Sequence, residues 1–204
     1  MIKKAINLKT LRRAYNAAVK PNVRKILKNK KGLQRYKDSP IMSEIFSMAQ
    51  TPAVVGTNKK IFKAFRKANN NQAWNLWPQE YKNWIKDKSI ELEEYQSDID
   101  YELFLQYVFY KQWFKLKEYA NQNSIQIMGD LPIYLGFDSA DVWQHQDVFL
   151  LDKDQNPTFV AGVPPDFFSA TGQLWGNPLY DWDRLEETGF EFWIERLKGN
   201  FKLF

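Results

Sequence analysis

Residues 125–134 read IQIMGDLPIY, and the assignment of this short run decides the fold. Ile125, Ile127 and Leu131 suit a short buried strand over 125–131, which Pro132 then ends because it cannot donate to a ladder. The run before it, IDYELFLQYVFYKQWFKLKEYANQNS, has the period of a long helix. Asp98 or Asp100 can cap that helix, and Leu105, Phe109, Trp113, Leu116 and Ala120 form one apolar stripe. Helix, tight turn over 121–124 and buried strand make the rhythm of an α/β protein with a parallel sheet. In such folds, the (β/α)8 barrel included, ligands sit at the C-terminal ends of the strands. Asp130 stands at that end. It either faces a ligand or only holds nearby loop amides, and position alone leaves both readings open.

Upstream, Ile61, Phe62, Phe65 and Ala68 predict a short amphipathic helix. Pro78 can open a second helix through Tyr81, Trp84 and Ile85. Downstream, 138–146 begins a helical turn with Asp138 or Ser139 as its N-cap. Residues 148–161 read as a hairpin that turns through 152–156. Helical period returns over 190–203, through Phe192, Trp193, Leu197 and Phe201. The roughly fifty residues between Tyr134 and Asp183 are thus a large excursion at one strand end, and long excursions inside compact domains are usually functional.

Composition narrows the chemistry. The chain has 204 residues, no Cys and a single His, His145, so disulfides and thiolate metal sites are excluded and a Ser-His triad is disfavoured. No apolar run reaches the ~18 residues of a membrane span, and the MIKKAINLK start lacks a signal-peptide core. Cytoplasmic residence is the expectation. Residues 1–37 hold thirteen Lys or Arg and no acidic residue, whereas the other 167 residues carry sixteen basic and twenty-four acidic groups. The head, residues 1–60, is therefore basic and helical or irregular. Nucleic-acid binding through phosphate neutralisation is the sharper reading of it, and a solvated segment is the plainer one. Oligomeric state is not encoded in any of these features.

The stretch 162–182, GVPPDFFSATGQLWGNPLYDW, has neither helical nor strand period, yet it contains Phe167, Phe168, Trp175, Tyr180 and Trp182. From residue 119 to 185 there are nine Asp and no Glu, opposed only by Lys153 and Arg184. A phosphate site would want the opposite charge. Aromatic planes beside Asp, Gln and Asn suit a carbohydrate, whose apolar C–H face can stack on a ring while its hydroxyls need paired donors and acceptors. Phe167, Phe168, Trp175 and Tyr180 could be the platforms, with Asp166, Gln173, Asn177 and Asp181 as polar partners. Equally, the rings could pin a long loop to the body. Trp182, beside the returning helix, leans toward core.

Two motifs, GDLPIYLGFDSADVW (129–143) and VAGVPPDFFSATGQLWGNPLYDW (160–182), followed by WIERLK, closely resemble the amylomaltases. These are the 4-α-glucanotransferases, or disproportionating enzymes, of the α-amylase-like barrel clan. AWNLWPQE (73–80) and the long helix are also similar, so the resemblance spans about residues 61–204 and fades over 1–60. It implies part of a (β/α)8 barrel with a helical N-terminal part and a hairpin and long-loop insertion. It implies transfer of α-1,4-glucan segments between maltodextrins by a retaining mechanism, with no organic cofactor. Matched residue by residue, it points to Asp130, Tyr134, Asp166, Phe167, Phe168, Gln173, Trp175 and Asn177 as glucan contacts, the last six on a mobile loop over the cleft. The family's nucleophile motif, R-I-D-H-F-R-G, is expected after WIERLK and is not found by Phe204. The expectation is therefore an internal segment without the catalytic carboxylates, inactive alone, with a non-catalytic glucan binder as the alternative.

Overall fold

A computed structural model describes residues 58–204. The expectations for the basic head, except for its last three residues, lie outside the described residues. The element order is helix α1 (Lys59–Ala68), α2 (Gln79–Asp87), the long α3 (Gln96–Gln122), the short α4 (Ala140–Gln144), strands β1 (Val160–Val163) and β2 (Gln173–Pro178), then α5 (Trp182–Glu187) and α6 (Glu191–Leu203).

α1 forms because Ile61, Phe62, Ala64 and Phe65 fall on one face, while Arg66 and Lys67 in its last turn complement the helix dipole. Both cations also reach across the fold: Arg66 pairs with Asp138 at 2.7 Å and Lys67 with Asp98 of α3 at 2.7 Å. These pairs are partly exposed and fix geometry more than they add stability.

The apolar face of α1 lies on a tryptophan cluster. Trp74, Trp77, Trp84 and Trp143 are each at most 5% exposed. Trp143 lies 6.4 Å from Trp84 in a stacked pair and meets Phe62, Phe65 and Trp77 at tilted or edge angles. A buried indole needs an acceptor for its N–H, and each of the four has a backbone carbonyl. Trp74 donates to Phe137 O at 2.8 Å, Trp77 to Gln72 O at 3.0 Å, Trp84 to Ile90 O at 2.9 Å and Trp143 to Tyr81 O at 3.0 Å. The cluster therefore ties the loops at 72 and 137 and the turn after α2 to one centre. Ser139, rather than Asp138, caps α4 by accepting from Val142 N. Asp138 instead accepts from the Trp74 backbone N–H and pairs with Arg66.

Several sequence expectations are corrected here. Residues 125–131 form no strand. A parallel strand needs neighbours for its N–H and C=O groups, and within 58–204 none flanks this run. Instead, Ile125 N donates to Ala120 O and Asp130 O accepts from the Asn200 side chain. The helix α3 starts without a side-chain cap, at Tyr95 rather than at Asp98 or Asp100. Its expected stripe is only half right: Ala120 is buried, but Phe109 and Leu116 are more than half exposed, and Ile99, Tyr101 and Tyr110 are buried in their place. α3 is apolar on more than one side, so its period does not say which side α1 covers.

The hairpin 148–161 is rearranged. Its turn holds, with Asp152 Oδ1 accepting from Asp154 N and Asn156 N, and Leu151 bridges Pro157. Beyond that, Val160–Val163 pairs antiparallel with Gln173–Pro178, and Phe149 bridges Tyr180. Eight of the twenty-one residues of the expected loop 162–182 are thus strand, which its Gly, Pro and Asn content hides. The register places Gly162 opposite Leu174. A Cβ on Gly162 would lie 2.6 Å from Gln173 O, so only glycine admits this approach. Trp182 is about half exposed rather than core.

His145, the chain's sole histidine, packs edge-on against Phe192 of α6 with ring centroids 5.1 Å apart. Burial disfavours its imidazolium and outweighs Asp141 and Asp147, holding its pKa below the ordinary 6.5. A base with a depressed folded pKa contributes stability that is complete above its unfolded pKa and is lost as pH falls through the folded value. The melting temperature should be flat above pH 6.5 and fall below it, and His145→Gln should flatten that step; the single imidazole resonance in NMR should titrate below 6.5. Trp143→Ala should lower unfolding free energy by about 3–5 kcal/mol, seen as a reduced urea midpoint.

Candidate functional site

β1 and β2 form a two-stranded flap whose tip, 164–172, is shaped by Asp166. Asp166 Oδ1 accepts from Phe168 N at 2.9 Å and Ser169 N at 2.8 Å, while Asp166 N donates to Ser169 O. This local turn competes with strand pairing, as short acidic side chains do. Ser169 Oγ donates to Gly172 O at 2.7 Å. Gly172 has φ of +75°, and a Cβ there would sit 2.6 Å from Val163 O, so glycine closes the tip.

On this tip, Phe167 is 97% and Phe168 88% exposed, their rings meeting edge to face at 5.6 Å. Apolar rings held out into water by an ordered turn add nothing to the core. One strand further in, Trp175 is about half exposed, and its indole N–H donates to Gln173 Oε1 at 3.0 Å. Gln173 thereby fixes the plane of Trp175. The Trp175 ring lies 6.2 Å from Tyr134, tilted by 59°.

Tyr134 leads inward. It stacks on Tyr180 at 6.4 Å, and Tyr180 in turn meets Phe149 at 5.0 Å and Trp193 at 5.3 Å. Tyr180 is 2% exposed, so it is a core residue and not a sugar platform. Its hydroxyl donates to Ile133 O at 2.6 Å and accepts from Arg196. Burial pushes its phenol pKa up, with Arg196 opposing. Asp181, read earlier as a polar sugar partner, caps α5 by accepting from Arg184 N. Asn177 is half-buried and donates to Leu135 O at 2.9 Å.

The structure therefore brings Tyr134, Gln173, Trp175 and Asn177 into one neighbourhood. Asp166, Phe167 and Phe168 form a separate group at the flap tip, with their hydrogen bonds and ring contacts inside the tip. Asp130 has an exposed side chain and a backbone carbonyl held by Asn200 of α6 at 3.1 Å. An open hollow lined by Phe114, Lys117, Glu118, Asn121 and Gln122 lies on α3 and includes none of these residues. Sequence reading missed Arg196 and Asn200, which meet the segment 130–135 from α6. Their only signal is i, i+4 spacing of two long donors, common to many solvent-facing helices.

The comparisons bear on the whole of this region. The model of a family described as 4-alpha-glucanotransferase matches residues 15–204. A 4-alpha-glucanotransferase of Clostridium butyricum is 48% identical over 147 residues, covering 71% of this chain and 30% of that protein. One of Aquifex aeolicus is 48% identical over 140 residues, covering 68% and 29% respectively. Among solved structures, the amylomaltase of Streptococcus agalactiae in complex with acarbose aligns with a TM-score of 0.70 at 33% identity, over 93% of this chain and 38% of that one. The chain thus spans about 30% of the length of the curated relatives it matches.

Proposed function

Since this chain belongs to the 4-alpha-glucanotransferase family, we propose that its flap and the segment 130–135 form part of an α-1,4-glucan cleft in a retaining transferase. The α/β architecture belongs with that reading, and residues 125–131 become a barrel strand once neighbouring strands supply their ladder partners. The observation that carries the proposal is the pair of nearly fully exposed phenylalanines on an ordered flap, whose strand β2 also sets Trp175 beside Tyr134.

In this reading, Trp175 and Tyr134 stack on a glucose ring, and Phe167 and Phe168 lie on the next one. Asp130 accepts from sugar hydroxyls. The Gln173 and Asn177 amides orient the rings and the segment while presenting polar atoms toward the glucan. Asp166 acts by shaping the tip. The transfer reaction uses one carboxylate as nucleophile, forming a covalent glycosyl-enzyme, and a second carboxyl as acid and then base. We assign neither role to a residue of this chain. Its contribution is to hold the glucan and, by covering it, to keep water from the intermediate so that a sugar hydroxyl attacks instead.

The span of about 30% of the relatives favours a second reading for the isolated polypeptide, glucan binding without turnover. Maltoheptaose should shift the tryptophan emission of the 204-residue chain, and Trp175→Ala should remove most of the shift. Covering one face of a phenylalanine gains about 1 kcal/mol, half of full burial, so Phe168→Ala should weaken binding roughly fivefold. Maltotriose should be disproportionated only when the rest of a family enzyme is supplied. A wild-type chain blind to maltoheptaose, or unchanged by Trp175→Ala, sinks the cleft reading; turnover by the pure chain sinks the division of labour.

A further inference from the structure

The segment 130–135 has no ladder, and Pro132 has no N–H to give to one. Four of its carbonyls are nevertheless taken, each by a side chain. Asn200 donates to Asp130 O at 3.1 Å, Arg196 to Pro132 O at 2.6 Å, Tyr180 to Ile133 O at 2.6 Å and Asn177 to Leu135 O at 2.9 Å. We propose that Arg196 and Asn200 of α6 are positioning residues, a helix-borne clamp that sets the backbone from which Asp130 and Tyr134 project. The role assigned to that backbone rests on the glucan reading above.

The spacing is what makes the clamp work. Four residues of α-helix rise about 6 Å, and two residues of extended chain span about 6.6 Å. Donors at i and i+4 on α6 therefore match carbonyls two apart on the segment. The two run in opposite directions, Arg196 to 132 and Asn200 to 130. Asn177 and Tyr180 take 135 and 133 in the same reversed order. Arg196 is further specialised. Its guanidinium lies over the rings of Trp193 at 4.7 Å and Phe192 at 5.6 Å, with one nitrogen on Tyr180 Oη at 3.3 Å and another on Pro132 O. Among the described residues its partners are neutral oxygens and ring faces, not a carboxylate. A planar fork reaches two acceptors in one plane while stacking; an ammonium cannot. The residue is therefore used for shape, not for ion pairing.

The test uses the full chain and the variants Arg196→Lys and Asn200→Ala. The lysine keeps the charge and the aliphatic stem, so it rescues any role that depends only on these. Backbone order is followed residue by residue by 15N relaxation, and maltoheptaose affinity by tryptophan emission. In Arg196→Lys the order parameters of 131 and 133–135 should fall from about 0.85 toward about 0.6, with those of α1 and α4 unchanged, and maltoheptaose should bind about tenfold more weakly, equivalent to 1.4 kcal/mol. Asn200→Ala should do the same to a smaller degree. Wild-type order and affinity in Arg196→Lys would overturn the clamp, and so would a fall in order across the whole chain, which would make Arg196 a general support. A local loss of order with normal affinity would leave a clamp without the positioning role and overturn it too. If the local loss of order appears while wild type ignores maltoheptaose, the cleft reading fails and the clamp stands.

Discussion

The structure depends on the need of buried indole N–H groups for acceptors. Trp74, Trp77, Trp84 and Trp143 bring the bulkiest rings to the core, and each must also satisfy one donor. All four use backbone carbonyls, of Phe137, Gln72, Ile90 and Tyr81. A leucine core would be as apolar but would leave these chain segments untied. Directional hydrogen bonds from large rings give the cluster both area and fixed geometry. The connections between helices, which have few ladder bonds of their own, thereby gain fixed points on the core.

From this centre, order passes outward along aromatic contacts. Phe192 and Phe149 carry Tyr180; Tyr180 carries Tyr134; Tyr134 meets Trp175 on the flap. Burial falls along the path, from closed core to the half-exposed Trp175 ring that ends it, and the exposed rings of the flap tip stand apart from it. The glucan site proposed above needs this gradient. Its rings must be exposed to be usable and yet fixed enough that binding does not first have to order them. The hydrogen bonds of Gln173 to Trp175 and of Asn177 to Leu135 O supply that fixity at the exposed end.

The same region shows why family membership and a complete reaction are different statements. The chain covers about 30% of its curated relatives and 38% of the aligned amylomaltase. A retaining transfer needs two carboxylates held at a defined separation across the scissile bond. Gripping a glucan and shielding it, the part proposed above for the flap and the segment 130–135, need only surfaces. The exposed apolar groups on the second side of α3, Phe109, Leu116 and Tyr119, fit a fold in which further elements cover that helix.

Much was legible in the residues. The helices α1, α2, α3 and α6 follow from apolar period, a cap at Asp138 or Ser139 and the turn at 152–156 from short polar side chains that compete with backbone, and the family from the resemblance of two long motifs in order. Local chemistry determines the elements, and the structure chooses Ser139 for the cap. What only the tertiary structure decided was pairing and side: that Val160–Val163 joins Gln173–Pro178, that Tyr180 goes to the core while Phe167 and Phe168 stay out, and that Arg196 and Asn200 take the carbonyls of 132 and 130. A strand is defined by its neighbour and an exposed ring by what fails to cover it, and neither lies within a few residues along the chain. Helical period repeats within one turn and so can be read locally, whereas a partner some sixty residues away, as Arg196 is from Pro132, cannot.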